Sequence, residues 1–122
     1  MKMGTWVLLA LAGFIPISQA RSQSAVGTET GNDFYAGCRG APKTLECLAY
    51  VQGVVGGAEA MAIATGRRLI CVPPGVTSGQ LQDVIVTSLR NNPADNHLLI
   101  AALAFIALET AFPCKHQHSN SK

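Results

Sequence analysis

The chain has 122 residues, 48% of them hydrophobic and only 13% charged, with nine Lys/Arg against seven Asp/Glu for a net charge of +2. The charged fraction is well below the ~25% of ordinary soluble domains. No basic patch or polybasic run is present, which argues against nucleic acid or an anionic membrane surface as the principal partner.

The N-terminus reads as an export signal. Lys2 is a minimal positive region, residues 6–17 are an apolar run broken by Pro16, and Ser18-Gln-Ala20 is a small-x-small cleavage site. Cleavage after residue 20, or a few residues later near Ala25, would leave one small domain free of the membrane. A single Lys and a short apolar run look bacterial, so the expected compartment is the periplasm. All four cysteines lie beyond this leader, as suits an exported protein with two disulfides.

Residues 21–31 are Ser, Thr, Gln and Gly with few apolar side chains, and are expected to form a flexible lead-in. The helical domain is expected over residues 32–114. Asn32-Asp33 can cap a short helix over residues 34–39, ended by Gly40 and Pro42. Thr44 opens a longer helix to residue 65, with Gly66 as its terminator. Its apolar positions, Cys47, Leu48, Val51, Val54, Val55, Ala58, Met61 and Ala62, follow the three-and-four spacing of one face. Gly53, Gly56 and Gly57 lie inside it, each costing ~0.5–1 kcal/mol relative to alanine. Close packing of another helix of the same chain is the leading explanation, and a second copy of the protein the alternative.

Arg67-Arg68 reads as a solvated turn, and residues 69–75, with Pro73 and Pro74, as an extended connector. Thr77-Ser-Gly-Gln80 is a capping box that opens a third helix. Leu81, Val84, Ile85, Ser88 and Leu89 fall on its inner face, with Gln82, Asp83, Thr87 and Arg90 outside. Asn91-Asn-Pro93 stops it, and Asn92 with Pro93 is expected to start the fourth helix. That helix carries residues 98–108, apolar all round, and is expected to be the buried centre of the fold. Residues 115–122 form a polar tail, expected to be flexible. The fold class is all-α: a small disulfide-stapled bundle of three long helices plus one short N-terminal helix.

Four cysteines allow three pairings. The second helix is ~30 Å long at 1.5 Å per residue, with Cys47 at its start and Cys71 past its end. Bridged Cα atoms lie within ~7 Å, so these two cannot join. Alternating helix directions bring Cys114 to the end that holds Cys71, far from Cys47. The arrangement left is Cys38–Cys47 and Cys71–Cys114. Metal ligation by these cysteines is disfavoured, because none of their spacings is Cys-x-x-Cys.

Candidate chemistry is sparse. If every cysteine is bridged, no nucleophilic thiol remains. His97 stands beside Asp95 and Asn96 and reads as a capping or exposed histidine. Glu46, Glu59, Asp83 and Glu109 are scattered singly, without a carboxylate pair. His116 and His118 are two ligands on a tail, a poor metal site. No phosphate loop appears. Neither enzyme activity, cofactor nor metal is expected. What remains is surface: the turn Asn91-Asn-Pro-Ala-Asp-Asn96 suits presentation to a partner, and equally suits an ordinary helix–helix turn, which is the leading reading of its residues alone.

Several patterns occur in order: Cys38 near the end of a short first helix, Cys47-Leu-Ala-Tyr-Val-Gln-Gly53, Cys71-Val-Pro73, Gly75-Val-Thr-Ser-Gly-Gln-Leu81, Asn92-Pro93 and Ala111-Phe-Pro-Cys114. Together they resemble the Rap/Tai family of immunity proteins associated with bacterial type VI secretion. The resemblance implies a disulfide-bonded, all-helical periplasmic protein, often a homodimer. It also implies a partner: a cognate peptidoglycan amidase effector, inhibited by a surface loop that plugs its active-site cleft. Carried onto this chain, the loop role falls on Asn91, Asn92, Asp95 and Asn96. The rival functions are a periplasmic helical chaperone that binds unfolded clients under stress, and a carrier of small apolar ligands within the bundle.

Overall fold

The computed structural model describes residues 29–115. The leader expected over residues 1–20, most of the lead-in, and His116 and His118 of the tail lie outside the described residues. Four helices follow in order: α1 (Gly31–Cys38), α2 (Leu45–Thr65), α3 (Ser78–Asn91) and α4 (Ile100–Ala111), with a single 3-10 turn at Pro93–Asp95 between the last two. The fold is all-α, three long helices and one short one, with two isolated β-bridges, Thr30 to Leu99 and Ile70 to Pro113, among the described residues.

Helix α1 begins three residues earlier than the expected span of 34–39, so Thr30 and Gly31 belong to the folded domain rather than to the lead-in. The cap is Thr30, not Asn32-Asp33. Thr30 Oγ1 accepts from Asp33 N–H at 3.3 Å, and the Asp33 carboxylate accepts from Thr30 N–H at 2.9 Å, closing a capping box. Asp33 therefore acts at the third position of the helix. Phe34 turns inward and stacks at a tilt on Tyr50 of α2, ring centroids 5.3 Å apart.

Thr44 caps α2, and Gly66 ends it at φ 70°, the left-handed conformation that glycine adopts without a Cβ penalty. Only Cys47 and Val51 of α2 are fully buried, while Val54, Val55 and Ala58 pack partly against the core. The expected intramolecular neighbour of the α2 glycines is not there. A Cβ placed on Gly53, Gly56 or Gly57 would have nothing within 4 Å. These glycines lie on the face turned from α3, so burial within this chain does not account for them.

Helix α3 is the centre of the fold, packing against α1, α2 and α4. Thr77 and Gln80 close its capping box, and Leu81, Ile85, Val86 and Leu89 are buried. Gln82, expected outside, is completely buried, and its Nε2 donates to the Cys38 carbonyl at 2.7 Å. Helix α1 covers the flank of α3 that periodicity alone assigned to solvent, and Gln82 satisfies the free carbonyl at α1's end.

The apolar stretch 98–108 does not form the buried centre. Asn92 terminates α3 and does not start α4, which begins eight residues later at Ile100 with Leu99 at its cap and no side-chain capping bond. One face of α4 is buried, through Ile100, Ala104, Ala107 and Leu108, whereas Ile106 is 57% exposed. A helix at the edge of the fold meets its neighbours on one side only.

Two disulfides close the structure. Cys38–Cys47 joins the end of α1 to the first turn of α2, Cα atoms 5.8 Å apart. Cys71–Cys114 joins the connector before α3 to the chain after α4, Cα atoms 5.0 Å apart. Beside it Cys71 N–H donates to the Phe112 carbonyl at 2.9 Å. In the chain-entropy view the nine-residue separation of the first is worth ~2.7 kcal/mol, and the 43-residue separation of the second ~4 kcal/mol.

Candidate functional site: the turn after α3 and the groove beside it

The segment from Asn91 to Leu99 is short of regular structure but densely tied. Asn92 N–H and its Nδ2 both donate to the Ser88 carbonyl, at 3.1 and 2.9 Å. Pro93 fixes the 3-10 turn, within which Asp95 N–H donates to the Asn92 carbonyl at 3.1 Å. Leu98 N–H donates to the Asp95 carbonyl at 2.9 Å. His97 Nδ1 lies 2.9 Å from the Ala94 carbonyl. A carbonyl only accepts, so the proton in that contact sits on Nδ1. His97 is a fastener of the turn here, with no carboxylate or nucleophile bonded to it among the described residues.

A second layer of bonds comes from α1. Asn32 N–H donates to the Asn96 carbonyl at 2.8 Å and Gly31 N–H to the Leu98 carbonyl at 3.0 Å. In return Ile100 N–H donates to the Glu29 carbonyl at 3.0 Å, which satisfies a first-turn donor of α4 in place of a side-chain cap. The contact is close because residue 31 is glycine. A Cβ there would stand 2.7 Å from Leu103 Cδ1 and 3.1 Å from the Asn96 carbonyl oxygen. Asn96 itself is 5% exposed, and its Nδ2 donates to the Leu89 carbonyl at 3.0 Å.

Asn91, Asn92, Asp95 and Asn96 all line one end of an open groove between α3 and α4, with a volume of about 580 Å³. The groove walls are largely apolar, formed by Val84 and Leu89 of α3 and by Leu103, Ile106, Ala107 and Ala111 of α4, with Thr87, Ser88 and Thr110 among them. Asp95 is its one charged lining residue. The volume falls within the ~300–1,000 Å³ of small-molecule pockets and side-chain clefts.

On the α1 flank, the Arg39 guanidinium lies 5.4 Å from the Tyr35 ring centre. The Tyr35 hydroxyl is held below its ordinary pKa, chiefly by a hydrogen bond from Arg90, with Arg39 adding to it against partial burial. Tyr50 shifts the other way, raised first by burial and then by the Glu29 charge. Asp33 is lowered by the side-chain and backbone hydrogen bonds of Thr30. No group of three His, Cys, Asp or Glu side chains that could hold a metal occurs among the described residues, and all four cysteines are bridged.

Periodicity and turn chemistry mark the polar turn but not what holds it. Thr30 and Gly31, which dock α1 onto it, lie at the end of a stretch whose composition reads as a flexible lead-in. The usable signal was Thr30-Gly31-Asn32-Asp33, a hydroxyl followed three residues later by a carboxylate. Ile106 was missed as a groove wall because an all-apolar helix gives no sign of which side stays open.

A family model described as Rap1a immunity proteins matches residues 30–114, from the α1 cap to the last bridged cysteine. Comparison with curated proteins and with solved structures gives no match.

Proposed function

The chain belongs to the Rap1a immunity protein family, and from that premise we propose that it is a periplasmic immunity protein that binds and occludes a cognate peptidoglycan amidase delivered by type VI secretion. The two disulfides and the family support export, and the periplasm is the compartment where such an amidase would act. Blocking a cleft requires no chemistry from the blocker. It requires a protruding polar surface that loses little entropy when it binds.

The observation that carries this reading is the double fastening of residues 91–99. Asn32 N–H on the Asn96 carbonyl and Asn96 Nδ2 on the Leu89 carbonyl hold the turn to α1 and α3 together. Asn91, Asn92 and Asp95 remain exposed on that rigid base. The test is inhibition of purified type VI amidase effectors by the oxidised protein. Stoichiometric inhibition, weakened at least about tenfold by Asn92→Ala with Asp95→Ala, supports the reading. Undiminished inhibition by that double variant would move the blocking surface elsewhere.

The homodimer implied by the resemblance has a surface to match. Leu45, Ala49, Gly53, Gly56, Ala60 and Ile63 of α2 repeat at three-and-four spacing and are all exposed, Leu45 at 82% and Ile63 at 84%. By size the series reads large, small, glycine, glycine, small, large. It is therefore self-complementary about a twofold axis between antiparallel copies, as an isologous interface requires. The charges agree. Lys43 pairs with Asp83 and Arg68 with Glu59, whereas Glu46, in the first turn of α2, and Arg67, just past its Gly66 cap, form no ion pair among the described residues. Antiparallel copies would bring each Glu46 toward the partner's Arg67 end. By length and composition α2 could also cross a membrane. Its Cys38–Cys47 bond, buried Val51 and packing on α3 tie it to the domain instead.

A further inference from the structure

At the polar end of the α3–α4 groove acceptors predominate, although Asn91, with its side-chain amide unbonded among the described residues, and the hydroxyl residues Thr87, Ser88 and Thr110 also line the groove. Asn92 and Asn96 both commit their Nδ2 donors inward, to the Ser88 and Leu89 carbonyls. Because a carbonyl can only accept, these contacts fix which amide atom is nitrogen. The oxygens are left over. Asn96 Oδ1 is buried without any hydrogen-bond partner, and among the described residues neither Asn92 Oδ1 nor the Asp95 carboxylate is paired. No cation lines the groove to answer them.

We propose that this end of the groove binds the guanidinium of an arginine presented by the partner protein, its aliphatic stem lying along the part of α4 nearest the turn, at Leu103 and Ile106. The inference rests on the immunity reading for the identity of the partner and deepens it by naming what the partner inserts. A guanidinium carries five donors and no acceptor, the complement of this acceptor set. Its planar fork can bond a carboxylate at two points, and its weak hydration suits an apolar wall better than an ammonium does. A neutral apolar side chain would fill the groove but offer no donor to Asp95 or Asn92 Oδ1. A carboxylate would be repelled by Asp95. The partner would thus hold the turn from both sides, its cleft around residues 91–96 and its arginine in the groove behind them.

The test needs no effector. The oxidised, ¹⁵N-labelled protein is titrated with n-butylguanidinium, and with n-butanol as the uncharged chain of the same length. The expected result is a saturable shift of the Asn92 and Asn96 side-chain amides with the guanidinium and not with the alcohol. Asp95→Asn, which keeps shape and removes charge, should weaken that binding about tenfold, the loss of one charge-assisted hydrogen bond. Asp83→Asn, which removes a carboxylate paired with Lys43 and outside the groove lining, should leave it unchanged. Equal shifts with alcohol and guanidinium, no saturable shift, or an Asp95→Asn variant that binds as well as the parent would each overturn the proposal. Such a failure leaves the immunity reading to the amidase assay. Failure of amidase inhibition, with guanidinium binding intact, would remove the assigned partner and not the cation site.

Discussion

Asn32 N–H, in the first turn of α1, donates to the Asn96 carbonyl at 2.8 Å, so the segment proposed to face a partner is hung from a helix 64 positions earlier in the chain. The bond uses a donor that every helix start leaves free, and it makes the placement of the turn depend on residues 29–33.

Gly31→Ala tests that dependence. The added Cβ would press on Leu103 Cδ1 at 2.7 Å, Leu89 Cδ2 at 3.0 Å and the Asn96 carbonyl oxygen at 3.1 Å. Side chains can give way, but the carbonyl is backbone. A loss of about 1–3 kcal/mol is expected from overpacking, measured by urea unfolding, together with shifted amide resonances at residues 95–98. A variant as stable as the parent would mean that α1 moves away at no cost.

Asp33 gives the same contact a pH dependence. Thr30 holds its carboxyl below the ordinary value of 3.8, so the folded state favours the ionised form. Its contribution is present in full above pH 3.8 and is lost as pH falls through the lowered value. Asp33→Asn should therefore reduce the melting temperature at pH 7 and narrow that difference as the pH falls below 3.8. A constant difference across this range would contradict the capping role.

Gln82 is the other interior polar group with a clear task. Gln82→Ala removes the donor to the Cys38 carbonyl and opens a cavity under α1. About 2–4 kcal/mol should be lost, combining truncation with an unpaired buried carbonyl. A loss below 1 kcal/mol would show that water replaces the amide.

The seam on α2 is open to solvent in one copy, so Ile63→Glu should leave folding intact. By light scattering the parent is expected at twice the chain mass and this variant at the chain mass. A parent that stays monomeric at about 100 µM would refute the α2 interface.

The helix inventory was legible because three signals coincide: Thr44 and Gly66 bracket α2, Thr77 and Gln80 box the start of α3, and Asn92-Pro93 ends it. Helix lengths then leave one sterically allowed pairing for Cys38, Cys47, Cys71 and Cys114, the one the structure contains. What could not be read was which faces meet. Gln82 reads as surface until α1 is seen to cover it. Residues 98–108 read as a core helix, because composition records apolarity and not how many neighbours a helix has. Gly53, Gly56 and Gly57 suggest close packing, but a sequence does not say whether the neighbour belongs to the same chain. Asn91, Asn92, Asp95 and Asn96 were marked by turn chemistry. Their shared groove depends on α4 starting at Ile100, seven residues later than a cap at Asn92 with Pro93 in the first position suggests.

The central claim, that this chain is the inhibitor of one amidase, is tested most directly by capture. The oxidised protein is immobilised, exposed to lysates of the source organism and its close relatives, and the bound proteins are identified by mass spectrometry and assayed on peptidoglycan. The expected result is one stoichiometric partner with amidase activity, suppressed while bound and competed off by excess soluble parent but not by Asn92→Ala with Asp95→Ala. A broad set of clients whose binding grows at low pH, or a bait that retains nothing from any of these lysates, would contradict it.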